Sequence, residues 1–204
     1  MIGAVIAAAG LSSRMGAFKP LLPYRGKTIL ATTIDKLHAV GVKEIIIVVG
    51  HRHTDIEKYF TDDSMLKFVY NPYYRDKDML FSLQYGIKSV KKSEAIFLMP
   101  ADMPAIAIKT FSGIVDAWNS KKASVIIPCQ NGRHKHPPLI GKQYFSSILS
   151  FQGEGGLHSI LEKLQERTFF METIDDGLNF DVDTPDEYKK LLEFLIGRHN
   201  ESDL

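Results

Sequence analysis

Four polar side chains able to hold phosphate, Ser12, Ser13, Arg14 and Lys19, fall in one short stretch behind an apolar run, "AAAGLSSRMGAFK" over residues 7–19. Gly10 and Gly16 let the backbone there bend and turn its N–H groups toward an anion. A guanidinium suits non-bridging phosphate oxygens through its fork, and an ammonium acts as a point charge. The stretch is neither of the two common phosphate loops. Ser12 breaks G-x-G-x-x-G after Gly10, and Ala17 stands where G-x-x-x-x-G-K-[ST] requires lysine. An ordinary βα turn with solvated basic residues is the competing reading. The four side chains together favour polyphosphate.

Carboxylates supply the complementary half. In "MPADMP" (99–104) Asp102 lies between two stiffening prolines directly after an apolar run. A carboxylate aimed at a polyphosphate is repelled unless a cation intervenes, and Mg²⁺ takes one or two carboxylates plus phosphate oxygens. Alone, Asp102 reads more simply as a helix cap. In "FDVDTP" (180–185) Asp181 and Asp183 are two apart and share one face of a short strand, unless the strand ends between them and turns one away. Asp183, beside the capping Thr184, is the expected second ligand. Asp102 and Asp183 together make a far stronger metal site than either alone.

Other reactive side chains read more plainly. His134 and His136 in "GRHKHPP" lack the pattern of a zinc site, and this loop reads as surface, with Arg133, Lys135 and His136 available to an anionic second substrate. His51 and His53 read as a solvated strand end, and Cys129 as a packed residue.

The elements that must position these groups alternate. "IGAVIAA", "KEIIIVVG", "LKFVYN", "EAIFLMP" and "ASVIIP" are strand-like, the most apolar of them typical of strands buried on both faces. Helical patterns fall between them over Thr28–Val40, Thr54–Phe60, Met79–Val90 and Ile108–Asn119. This order predicts an α/β fold with a mainly parallel sheet covered by helices on both faces. Beyond Pro128 the pattern predicts a polar loop returning into a short strand, helices over Phe145–Phe151 and Leu157–Gln165, and a short strand at "FDVD". A last helix then opens on a capping box, Thr184 with Pro185 and Glu187. One domain over 1–197 and a polar tail over 198–204 are expected. Ligands of such sheets bind outside the carboxyl ends of the strands, so the loop at 7–19, Asn71, "PADMP", the His-Pro loop and "DVDTP" all meet at one edge.

The chain of 204 residues has a net charge of +1, which excludes a strong overall field for nucleic acid or membrane. Its lone cysteine suits a reducing compartment, and its N-terminus lacks the basic region of a signal peptide, so a cytoplasmic setting is expected.

In this order the residues resemble the MobA-like nucleotidyltransferases, most closely the molybdenum cofactor cytidylyltransferase branch. The matching stretches are "AAAGLSSRMGAFKPLLPYRGKTIL", "NPYYRDKDMLFSLQYGI", "PADMP", "HPPLIG", "GEGGLHSIL" and "DVDTPDEY", spread from Ile2 to about Leu195. The resemblance implies a Rossmann-like nucleotidyltransferase fold that binds a nucleoside triphosphate with Mg²⁺, transfers the nucleotide to a phosphorylated acceptor and releases pyrophosphate. In the closest branch the donor is CTP and the acceptor molybdopterin, with a molybdoenzyme or its chaperone receiving the product. Carried over by position, Gly10, Leu11 and Ser12 contact the triphosphate, Arg14 and Lys19 neutralise it, and Asp102 and Asp183 hold Mg²⁺. Ala7, Ala8 and Ala9 line the nucleotide pocket, Asn71 and Ser82 lie toward the base, and His136, Pro137 and the "GEGG" loop lie toward the acceptor. The sequence departs from the family where Gly-Met-x-x-Ser-Leu becomes Asp78-Met79-Leu80-Phe81-Ser82-Leu83, which alters the base pocket. "AAAG" rather than "AGG" leans toward CTP over GTP.

The expected chemistry is in-line attack by an acceptor phosphate oxygen on the α-phosphorus, carried by Lys19, Arg14 and Asp102. It needs positioning and charge neutralisation rather than a general base. Two rivals share these residues. One is transfer to another phosphate such as a sugar phosphate; the other is a non-catalytic cofactor-binding accessory protein, for which paired aspartates are superfluous. A dinucleotide-dependent dehydrogenase lacks its glycine spacing.

Overall fold

Alternate residues of the first strand face opposite sides of a sheet, and each side builds its own core. In the computed structural model, which describes the backbone of residues 1–202 and the side chains of 1–196, strand β1 (Ile2–Ala8) sends Ala4, Ile6 and Ala8 to one face and Val5 to the other. The chain then forms a small antiparallel pair, β2 (Pro23–Tyr24) with β3 (Lys27–Thr28), and helix α1 (Ile29–Ala39). The Thr28 side chain caps α1 by accepting from Ala31 N at 3.1 Å. β4 (Ile45–Val49), α2 (His53–Tyr59), β5 (Leu66–Tyr70), α3 (Met79–Ile87), β6 (Ala95–Pro100) and α4 (Ile108–Asn119) follow.

Leu30, Ile34 and Leu37 of α1, Ile56 of α2 and Phe111 and Ile114 of α4 cover one face of the sheet. Leu80, Leu83 and Ile87 of α3 cover the other, together with Ile148 of α5 (Phe145–Ser150) and Leu157, Ile160 and Leu161 of α6 (Gly156–Lys163). β4 is buried throughout, as its unbroken isoleucine and valine run requires.

The strand order is β10-β7-β9-β6-β1-β4-β5, where β7 is Val125–Gln130, β9 Leu139–Gly141 and β10 Thr168–Glu172. β1 is parallel to β4 and β6, β4 to β5, and β7 to β10. The short β9 runs antiparallel between β6 and β7, and β8 (Arg133–His134) turns back onto the end of β7. The expected mainly parallel α/β sheet is therefore present, with one reversed strand inside it.

Two segments correct the sequence expectation. "FDVD" forms no strand. It runs extended after a 3₁₀ turn (Asp176–Asn179), while Val182 is buried and Phe180 packs into a satellite core with Met15, Tyr24 and Leu191. The strand actually present nearby is β10, which the sequence pattern did not predict. As an edge strand it buries Phe169 and Met171 only partly and leaves Phe170 exposed, so its apolar residues fall on both faces and show no alternation. Helix α7 (Pro185–Ser202) extends past the point where the polar tail was expected to begin at 198, and residues 203–204 lie outside the described residues.

Candidate active site

The loop after β1 turns through Ser12 (φ 54°) and Gly16 (φ 67°), and Gly10 keeps an ordinary φ. Two bonds close it: Met15 N–H donates to Ser12 O at 3.0 Å, and Lys19 N–H to Ser12 Oγ at 3.2 Å. Ser12 is thus the corner on which Lys19 is hung. Arg14 projects outward and is exposed.

Asp102 leaves the end of β6 and does not cap α4, whose N-cap is Ala107. Its backbone carbonyl accepts from Val182 N–H at 3.2 Å, which ties the two aspartate segments together. Asp183 is fixed from the other side by the predicted capping box: Glu187 Oε2 accepts from the N–H groups of Asp183 and Thr184 at 2.9 and 2.8 Å, and Glu187 N–H donates to Thr184 Oγ1 at 3.3 Å. Asp181 is exposed and lines a groove that it shares with Asp102, Asp183 and His136.

These constraints bring four residues from three distant segments together. Lys19 Nζ donates to Asp102 Oδ2 at 2.7 Å and to Asp183 Oδ1 at 2.8 Å, and Arg14 donates to Asp183 Oδ2 at 2.7 Å. Burial lowers the Lys19 ammonium, but Asp102 and Asp183 outweigh it and the net shift is upward, so Lys19 is firmly cationic. Burial drives the Asp102 carboxyl upward against the pull of Lys19, while the Lys19 hydrogen bond holds Asp183 below its usual range. Asp102 Oδ1 is buried and has no hydrogen-bond partner.

Beside this cluster lies a cavity of about 200 Å³ walled by Ala7, Ala8, Ala9, Gly10, Ser12 and Lys19 on one side and by Tyr74, Lys77, Asp78, Met79 and Ser82 on the other. The structure distributes the remaining expected residues unevenly. Leu11 is exposed and is not on this wall. Asn71 is fully buried, its amide donating to Ser82 Oγ at 3.0 Å and its Oδ1 accepting from Tyr73 N–H at 2.9 Å, so it supports the wall from behind. Asp78 caps α3 by accepting from Phe81 N–H at 2.9 Å, a job the expected glycine lacks the side chain to do.

On the far side of Asp102, grooves lined by Met79, Lys135 and His136 continue toward Gly155 and Gly156. His136 faces them, and burial lowers its imidazole toward the neutral form, while Pro137 is buried behind it. Cys129 is buried, as expected. Sequence reasoning missed Tyr74 and Lys77, since nothing in the spacing of an exposed, polar-aromatic turn separates a cavity wall from a solvated loop.

A loop carrying arginine and lysine, set against paired carboxylates at the carboxyl edge of a Rossmann-like parallel sheet, defines an enzyme that handles nucleotide phosphates. Residues 4–168 match the MobA-like NTP transferase domain, and the chain belongs to that family: it is a nucleotidyltransferase. Asp183 lies beyond the matched segment. The chain is 31% identical over 187 residues to the molybdenum cofactor cytidylyltransferase of Escherichia coli (strain K12), covering 92% of this chain and 93% of that protein. A nucleotidyl transferase from Methanothermobacter thermautotroptrophicus superposes with a TM-score of 0.82 at 25% identity, over 97% of this chain and 99% of that one. A Mycobacterium tuberculosis H37Rv protein solved as a complex with manganese superposes with a TM-score of 0.71 at 24% identity, over 94% and 98% of the two chains.

Proposed function

We propose that this nucleotidyltransferase moves CMP from CTP, with Mg²⁺, onto a phosphorylated acceptor, molybdopterin carrying molybdenum, and releases pyrophosphate, as a single domain over 1–197 working in the cytoplasm. The observation that carries the chemistry is the Lys19 and Arg14 contact with Asp102 and Asp183 at the mouth of the cavity. The choice of CTP and of acceptor rests on the name of the Escherichia coli relative.

The residues fit a hard divalent cation. Asp102 offers a buried, unpartnered oxygen, and Asp183 stands within reach of the same lysine nitrogen. Asp102 and Asp183 would hold Mg²⁺, which supplies charge neutralisation at the α-phosphate when bound. The manganese complex of the mycobacterial neighbour supports a divalent ion in this fold.

Each other group has a task set by its place. The backbone at Gly10–Ser12 cradles the triphosphate, Leu11 through its N–H only. Lys19 and Arg14 turn from carboxylate to phosphate oxygens and stabilise the pyrophosphate that leaves. Ser82, braced by Asn71, faces the nucleoside. His136, with Pro137 packed behind it, and the glycine turn at Gly155–Gly156 bound the acceptor groove. The acceptor phosphate is already ionised near neutral pH, so no residue has to remove a proton from it.

Calorimetric titration with CTP, GTP, ATP and UTP, each with and without Mg²⁺, tests the reading. Mg²⁺-assisted preference for CTP is expected. A preference for another nucleotide refutes the cytidylyl assignment and redirects the acceptor search to sugar and other phosphates; binding of none of the four refutes the nucleotide site.

A further inference from the structure

The two walls of the cavity come from segments far apart in sequence, yet both rest on one short turn, Gly50-His51-Arg52, that follows β4. The first wall is the loop after β1. Its Ala9 carbonyl accepts from His51 N–H at 3.2 Å, and the ring of Phe18, the residue before Lys19, meets the His51 imidazole edge-on with centroids 5.8 Å apart. Arg52 lies over the outer face of that same Phe18 ring, 5.0 Å from its centroid, and is itself held by Asp55 at 2.6 Å. The second wall is the 71–79 segment. Its Tyr74 lines the cavity and lies 6.4 Å from His51, ring centroid to ring centroid.

The seating of Tyr74 leaves no slack. A Cβ added at Gly50 would stand 2.6 Å from both Cβ and Cγ of Tyr74 and 2.8 Å from the Ala9 carbonyl oxygen. Tyr74 and the Ala9 loop therefore press on the same glycine from different directions. Tyr74 is also held from its outer side by Arg75, which donates to its hydroxyl at 3.3 Å. The His51 ring is the piece that stands between Phe18 on one wall and Tyr74 on the other. Both ring separations fall within the range in which aromatic rings attract one another. Among the described residues, the carboxylates of the site come from other elements, Asp102 after β6 and Asp183 before α7, and neither is carried on this turn.

We infer that His51 is a positioning residue for nucleotide binding: its ring is the spacer that fixes the width of the cavity between the Phe18–Lys19 side and Tyr74. The inference rests on the cavity being the nucleotide site. A spacer controls affinity more than the bond-making step, because Asp102 and Asp183 are carried on other elements and Lys19 is held by both of them, at 2.7 and 2.8 Å, and by Ser12 Oγ at 3.2 Å. It also works through ring shape and not through a proton, so an apolar ring of similar width substitutes for it.

The test is calorimetric affinity for Mg²⁺–CTP, with kcat and KM for the nucleotide, in the full chain carrying His51→Ala, His51→Phe, Tyr74→Ala and His51→Ala with Tyr74→Ala. Expected are a rise in nucleotide Kd and KM of about tenfold for His51→Ala, with kcat within about twofold of wild type, and near-wild-type binding for His51→Phe. The double variant should lose little more than the worse single one, since both substitutions remove the same contact. Unchanged affinity in His51→Ala, a loss in His51→Phe equal to that in His51→Ala, or fully additive losses in the double variant each overturn the spacer. Should His51→Ala fail to fold, His51→Phe still decides, because a spacer requires it to bind nucleotide like wild type. No nucleotide binding by the wild-type protein would instead overturn the nucleotide reading itself, and the spacer with it.

Discussion

Replacing Lys19 by methionine keeps the aliphatic stem and removes one positive charge that touches both carboxylates, at 2.7 and 2.8 Å. Two consequences differ in size. For stability, the variant leaves Asp102 and Asp183 facing one another without their shared partner. Their side chains are 17% and 27% exposed, so water relaxes part of the penalty. A loss of about 1–3 kcal/mol is expected, inside a typical domain stability of about 5–15 kcal/mol. For catalysis, one preorganised charge is missing where pyrophosphate departs, and such a loss typically costs about 100- to 1,000-fold in kcat. Pyrophosphate release at saturating nucleotide and acceptor, beside a thermal melt, separates the two. A folded Lys19→Met protein with kcat within about threefold of wild type would remove Lys19 from the reaction.

Three further expectations follow from geometry. At Gly10 an added Cβ meets nothing of the protein within 4 Å, so Gly10→Ala should melt like wild type while binding nucleotide about tenfold more weakly, because the added methyl stands where the backbone approaches the ligand; equal affinity by calorimetry would show that the backbone there does not cradle it. Glu44 accepts from the N–H groups of Lys91, Lys92 and Ser93 and from Ser93 Oγ at 2.6 Å; Glu44→Ala should cost about 1–2 kcal/mol in denaturant unfolding, and a change below about 0.3 kcal/mol would show these bonds to be idle. Burial raises the Glu44 carboxyl, but the Ser93 hydroxyl and the three N–H groups reverse the shift and leave it below its usual 4.5. The clasp is therefore complete above that value and lost as pH falls through the folded one; acid unfolding of Glu44→Gln should lack this part of the pH slope, and identical slopes would refute the assignment.

The periodic part of the molecule was readable because burial on two faces leaves an unmistakable signature: β4 is one unbroken apolar run, and α4 occupies Ile108–Asn119 as its pattern predicted. Thr184 and Glu187 announced the start of α7 because a capping box is a local interaction with a local spelling. The partnership of Asp102 with Asp183 was legible only as two strand-end carboxylates that topology must bring together. What the sequence concealed depends on contacts between distant segments. β10 pairs with β7 as a half-exposed edge, so no alternation survives in "TFFME". His51 looked like a solvated strand end because its neighbours Phe18 and Tyr74 arrive from two other loops. Phe180 and Val182 looked like a strand because the demand of a satellite core for apolar residues is indistinguishable, at that length, from the demand of a sheet.

Among its parallel neighbours β9 runs backwards. A parallel strand can offer the working edge only the residues that follow it. β9 offers the residues that precede it, so the chain leaves β7 and enters β9 at the same rim, with His136 and Pro137 between them and Leu98 N–H fastening Pro138 O at 3.0 Å. The segment 131–137 lies beside Asp102 and doubles back on β7 through β8 and through Lys135 N–H on Pro128 O at 2.8 Å, and every crossover helix lies outside it. Residues added to or removed from its 131–132 turn would reshape the groove at His136, the side proposed for the acceptor, while β6 and the carboxylates stay in register. A lineage of such enzymes has here a place to change what it modifies without rebuilding how it modifies it.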